Sequence, residues 1–83
     1  MTPRVPVGWE EVDGALERRF RFHDFDEALA FVNRVGEAAE AANHHPDVFI
    51  HWNEVTLRWW THAAGAITEQ DVRMAERSSE LAT

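Results

Sequence analysis

The stretch HHPDV, residues 44–48, contains the proline at which the hydrophobic period of the chain changes. No other feature restricts the fold as much. Upstream, Ala28, Val32, Val35, Ala39 and Ala42 recur at helical spacing with Leu29 and Phe31 beside them, while Asp26, Glu27, Arg34, Glu37 and Glu40 fall toward solvent. Downstream the period drops to two. Val48, Ile50 and Trp52 alternate with Phe49 and His51, and Val55, Leu57 and Trp59 alternate with Thr56, Arg58, Trp60 and His62. Proline disfavours helical geometry in the residue before it and has no N–H to donate, so a helix over about 25–43 must stop there. His44 then lies at the helix end and His45 in extended geometry.

The remaining elements follow from local chemistry. Asp24 followed by Glu27 has the form of a capping box and starts the helix. Before it, WEEV and LERRFRF flank Asp13-Gly14, a strong hairpin signal. Leu16, Phe20 and Phe22 share one face of the second run; Glu17, Arg19, Arg21 and His23 share the other. Asn53-Glu54 joins the two runs after Pro46 into a second hairpin. Gly65 lies in the following loop. Thr68 and Asp71 cap a last helix over about 69–82, with Val72, Ala75 and Leu81 inward. The order β-β-α-β-β-α, two hairpins with helices on one sheet face, is an α+β two-layer domain. Residues 1–8, with two prolines and a glycine, read as an N-terminal tail, and 9–83 as a single domain. The rings of Trp59 and Trp60 must point to opposite sheet faces, one to the core and the other to a subunit contact or a pocket wall.

A domain of 83 residues buries only about 60% of its unfolded surface and usually needs a disulfide, a metal or a partner. The sequence has no cysteine, so a histidine/carboxylate metal site or self-association remains. The small residues of GEAAEAA, 36–42, fit either a good helix former or a helix contact between subunits. The net charge is −7 and lysine is absent, which argues against nucleic acid and anionic membranes as partners and excludes Schiff-base lysine chemistry. No apolar run approaches the roughly 18 residues of a spanning helix. Met1-Thr2-Pro3-Arg4 does not start a signal peptide. The expectation is a soluble cytoplasmic protein.

Five histidines carry the chemical interest. His23 and His51 sit on strand-like runs, on polar faces, without an assigned role. His44 and His45 end the central helix, and His62 ends the fourth strand just past the tryptophan pair; in a two-layer domain these ends can converge at one edge. Three readings compete. These histidines can be satisfied polar residues, favourable near a helix C-terminus. They can supply zinc ligands, although adjacent residues diverge where metal pairs on helices use i,i+3 or i,i+4 spacing. They can also do acid–base chemistry, with Glu40, four residues before His44, orienting its imidazole.

The spacing Glu40, three residues, His44-His45-Pro46, five residues, Trp52, nine residues, His62, eight residues, Asp71 resembles the pterin-4a-carbinolamine dehydratase family, called dimerisation cofactor proteins in animals. GWEEV, RRFRFHDFDEALAFVNRV and GAITEQDV also resemble it, so the likeness covers roughly residues 7–82. It implies a four-stranded antiparallel sheet with helices on one face, assembled as a homodimer or homotetramer through sheet edges and the central helix. It implies dehydration of 4a-hydroxytetrahydrobiopterin to the quinonoid dihydropterin, recycling the pterin of an aromatic amino acid hydroxylase. The pterin is substrate, and neither cofactor nor metal is implied. By the family motif, His44 and His62 form the acid–base pair and His45 mainly binds substrate. Glu40 orients His44, Pro46 fixes the rim, and Thr61, Ala63 and Ala64 contact substrate beside His62. Trp52 is expected to pack in the core and Asp71 to cap the last helix. Asn43 stands where some members are acidic, and about eight residues precede the Gly-Trp pair where animal members carry an extra helix. The alternative is a non-enzymatic dimerisation partner, for which three retained histidines have no use.

Overall fold

The computed structural model describes residues 3–83. The expectations about Met1 and Thr2, as the start of the tail and as no signal peptide, lie outside the described residues. The chain runs β1 (Glu10–Val12), β2 (Ala15–Arg21), α1 (Phe25–Ala42), β3 (Asp47–His51), β4 (Glu54–Trp59) and α2 (Glu69–Leu81). The four strands form one antiparallel sheet in the order β1-β2-β4-β3, which confirms the α+β two-layer architecture.

Asp13 (φ 49°) and Gly14 (φ 80°) make the first turn, both in the left-handed region that an Asp-Gly pair adopts at low cost. The second hairpin is shifted from its expected turn by one residue. His51 pairs with Glu54, so the turn residues are Trp52 and Asn53, and Trp52 takes φ 53°. Asn53 fixes that turn from outside, through hydrogen bonds between its backbone and side chain and the backbone of Phe22 at 2.8 and 2.9 Å. Trp52 is therefore held at the turn, 66% exposed, and does not pack in the core. At the same end of the sheet Arg21 donates to Glu54 at 2.8 Å, and this bond holds the Glu54 carboxyl below its usual range.

The core lies between the sheet and both helices. Leu16, Phe20, Val55, Leu57 and Trp59 from the sheet meet Ala28, Phe31, Val35 and Ala39 of α1 and Val72, Met74 and Ala75 of α2. The buried stripe of α1 runs 28-31-35-39, so Leu29 and Ala42, placed on or beside the inner face by spacing, are exposed. Ala39 is fully enclosed in its own subunit's core and is not available for a subunit contact. Arg18 shares the inner face of β2, where its guanidinium lies over Phe20 and donates to Ser79 Oγ at 2.9 Å. A Cβ at Gly8 would meet that guanidinium at 2.9 Å. Within the expected tail, Arg4 reaches Glu76 at 2.8 Å and Pro6 is buried. Among the described residues no helix is long and apolar enough to cross a membrane.

Candidate functional site

The site begins where α1 stops. The helix ends where expected, and the closing residue is Asn43, which enters the left-handed region (φ 51°, ψ 43°) three residues before Pro46. Its N–H bonds Glu40 O at 3.2 Å, and the His44 N–H bonds Ala39 O at 3.1 Å, a Schellman closure that satisfies the last carbonyls. Asparagine enters this region more readily than most residues. The turn swings His44 off the helix axis and under the sheet. Its ring packs nearly parallel to that of Trp59, with centroids 5.7 Å apart, and its side chain is only 10% exposed.

There His44 Nε2 meets Asp71 Oδ1 at 2.5 Å. Asp71 is fully buried and its other oxygen accepts from the Thr61 hydroxyl at 2.7 Å and the Thr68 N–H at 2.9 Å. It does cap α2, as expected, in a box with Thr68. It is also the carboxylate that orients His44. With donors on its far side, Asp71 is placed to accept from His44 Nε2–H, and Nδ1 is the ring nitrogen left out of that bond. Glu40 does not orient His44. Its Oε1 lies 2.7 Å from Nε2 of His45, which is half exposed. The i,i+4 relation of Glu40 to His44 does not hold in space, because Asn43 takes His44 out of the helix.

The other side of the site comes from the end of β4. Trp59 points into the core; Trp60 points to the outer sheet face. Thr61 bridges to Ala66 and closes a short loop, with Gly65 N–H bonding Thr61 O at 2.9 Å and Gly65 at φ 63°. At its start His62 lies exposed, stacked on Trp60 with centroids 3.9 Å apart and planes 15° from parallel.

Asn43, His44, His45, Thr61, His62 and Ala63 line one open cavity of about 320 Å³. The structure thus brings together His44, His45, Thr61, His62 and Ala63 of the expected set; Pro46 and Ala64 adjoin the lining in sequence without belonging to it. His23 and His51 lie outside it. Asn43, Asp71 and Trp60 are additions to the site. An asparagine closing a helical run is the available signal for the first. In sequence Asp71 is fully accounted for as a cap, and strand alternation sends one ring of the Trp59-Trp60 pair to a subunit contact or pocket wall without saying which. Among the described residues no three histidine or acidic side chains group as metal ligands.

A two-layer domain with three histidines around an open cavity at its helix and strand ends has the form of a small-molecule site. The family model described as pterin 4 alpha carbinolamine dehydratase matches residues 2–81, and the chain belongs to that family, a family of hydro-lyases. It is 53% identical over 76 residues to a Thermomicrobium roseum protein named "Putative pterin-4-alpha-carbinolamine dehydratase", covering 92% of this chain and 82% of that one. A Chlorobium limicola protein of the same name is 53% identical over 79 residues, covering 95% and 70%. Among solved structures, a transcriptional coactivator/pterin dehydratase from Brucella melitensis superposes with TM-score 0.88 at 35% identity, covering 93% of this chain and 84% of that one. A pterin dehydratase-like protein identified as a RuBisCO assembly factor in the alpha-carboxysome superposes with TM-score 0.74 at 20% identity, covering 89% and 86%, and shares the fold.

Proposed function

We propose that the protein dehydrates 4a-hydroxytetrahydrobiopterin or a closely related reduced pterin, giving the quinonoid dihydropterin and water. The observation that carries this reading is that His44, from the end of α1, and His62, from beyond β4, line the same cavity, with His44 anchored on buried Asp71. The hydroxyl on C4a leaves with a proton supplied to it, while N5 loses a proton as its lone pair forms the new C=N bond. Two imidazoles suit such an exchange at neutral pH, and each positioned group typically contributes about 10²–10⁴-fold. His44 exchanges its proton through Nδ1, because Nε2 is engaged by Asp71. His45, set by Glu40, binds and orients the substrate at the rim, and the Thr61–Ala63 segment supplies the facing wall. No metal or resident cofactor enters this scheme. The protein would work in the cytoplasm, recycle the pterin for an aromatic amino acid hydroxylase, and act as a homodimer or homotetramer.

The test is the rate of 4a-carbinolamine breakdown with purified protein. Acceleration lost in a folded His44→Ala/His62→Ala double variant supports the assignment; acceleration retained there means that the site lies elsewhere. One observation favours the alternative, a non-enzymatic dimerisation partner: Val48, Phe49, Ile50 and Trp52 are exposed along the edge of the sheet. The similar Brucella melitensis protein is described both as a transcriptional coactivator and as a pterin dehydratase. Protein that fails to accelerate breakdown but holds a specific protein partner through this edge would replace the enzymatic reading.

A further inference from the structure

His44 and His45 are each oriented by a carboxylate, Asp71 and Glu40 respectively. His62 differs. Among the described residues its ring makes no hydrogen bond or ion pair; what lies against it is the indole of Trp60, 3.9 Å away and 15° from parallel. The indole is itself tethered, since its Nε1–H donates to Asp47 Oδ2 at 3.1 Å. Asp47 is the first residue of β3, directly after the His44-His45-Pro46 turn. The tether therefore links the two chain segments that bring histidines to the cavity. Trp60 is on the outer face of the sheet, half-buried and outside the core cluster, so the core does not explain the placement of a large indole there.

We propose that Trp60, tethered by Asp47, is the positioning residue that fixes the His62 imidazole in the cavity; its catalytic consequence rests on the dehydratase reading. Face-to-face contact does something a hydrogen bond cannot. It restrains the ring plane while leaving both nitrogens, at the ring edge, free for substrate. It also holds in both protonation states that an acid–base group must visit. The neutral ring stacks as an aromatic pair, and the protonated ring is attracted to the indole face as a cation. A carboxylate partner would occupy one nitrogen and favour one state.

The tests are NMR of the His62 ring protons and steady-state kinetics, on wild-type protein and on Trp60→Ala, Trp60→Phe and Asp47→Ala. Stacking on the indole places the His62 ring-proton resonances upfield. Trp60→Ala moves them downfield and lowers kcat by about 10- to 100-fold with KM changed by less than about threefold. Trp60→Phe keeps a stacking face, the upfield position and most of kcat. Asp47→Ala, which leaves the indole in place, relaxes the resonances part of the way and lowers kcat by a smaller factor, and it serves as the test if Trp60→Ala does not fold. Resonances unmoved in folded Trp60→Ala, or kcat unchanged there, overturn the proposal; resonances and kcat unchanged in Asp47→Ala overturn the tether. Wild-type protein with the upfield resonances but no dehydration overturns the dehydratase reading and leaves the fixing of His62 standing.

Discussion

Asp71 shows how one side chain serves a fold and a site at once. It closes the first turn of α2 through Thr68 and holds His44 through its second oxygen, with Thr61 completing its shell. Asp71→Asn replaces an acceptor with an amide, so one NH2 must face either His44 or the Thr68 N–H. Leaving a buried group unsatisfied costs about 1–3 kcal/mol, and thermal denaturation should show a loss of that size together with a fall in kcat. Substitutions at the rings should separate by role. His44→Ala and His62→Ala lower kcat by about 10- to 1,000-fold, and combining them costs less than the product if the two act as a unit. His45→Ala raises KM instead, and Glu40→Gln does the same more weakly, because Glu40 touches His45 and not His44. A Glu40→Gln variant with reduced kcat and unchanged KM would show that the pairing in the free protein does not describe the working site. At this scale residue types were legible and pairings were not. Which carboxylate meets which imidazole depends on the direction of the chain after Asn43, a single left-handed residue that leaves no trace in hydrophobic periodicity.

At the level of elements, the period change, the Asp-Gly turn and the capping box are strong local signals, and all three correspond to real elements. The misplacements have tertiary causes. The second turn falls at Trp52-Asn53 because Asn53 is pinned to Phe22 on a segment far away in sequence, a contact invisible in a local window. Strand alternation puts Arg18 on the inner face with Leu16, Phe20 and Phe22, and its charge is tolerated there because Ser79 and the face of Phe20 receive it, partners no local window shows. The helix end itself falls at the expected position, and Asn43, ahead of Pro46, is the residue that closes it. The role of Asn43 can be tested. Asn43→Gly should keep or slightly raise thermal stability, since glycine reaches the left-handed region without penalty. Asn43→Val should lower it by about 1–2 kcal/mol, through the clash of its Cβ with the carbonyl. Because Asn43 also lines the cavity, Asn43→Val should raise KM as His44 and His45 shift. Equal stability of the Gly and Val variants would show that the closure does not depend on this conformation.

For the molecule as a whole, the exposed surface poses the largest question. β3 is an edge strand with unpaired backbone groups on one side, and its Val48, Phe49 and Ile50 are exposed, with Trp52 beside them at φ 53°. A lone domain normally blunts such an edge with charge or proline, because it templates pairing with another chain. Here the strand presents apolar side chains on both faces, which fits the proposed self-association and the small core of an 83-residue chain without disulfides. Of the alanine-rich stretch, Ala41 and Ala42 are exposed and Ala39 is not. Ala39 is enclosed by its own core, so Ala39→Arg should unfold the chain rather than dissociate it. Phe49 is 58% exposed and packs little inside its own subunit. Phe49→Arg should therefore leave the fold intact by circular dichroism and shift the assembly to smaller species by light scattering at micromolar concentration. Wild-type protein that scatters as a monomer, or a Phe49→Arg variant that keeps wild-type assembly, would mean that the β3 edge does not hold subunits together.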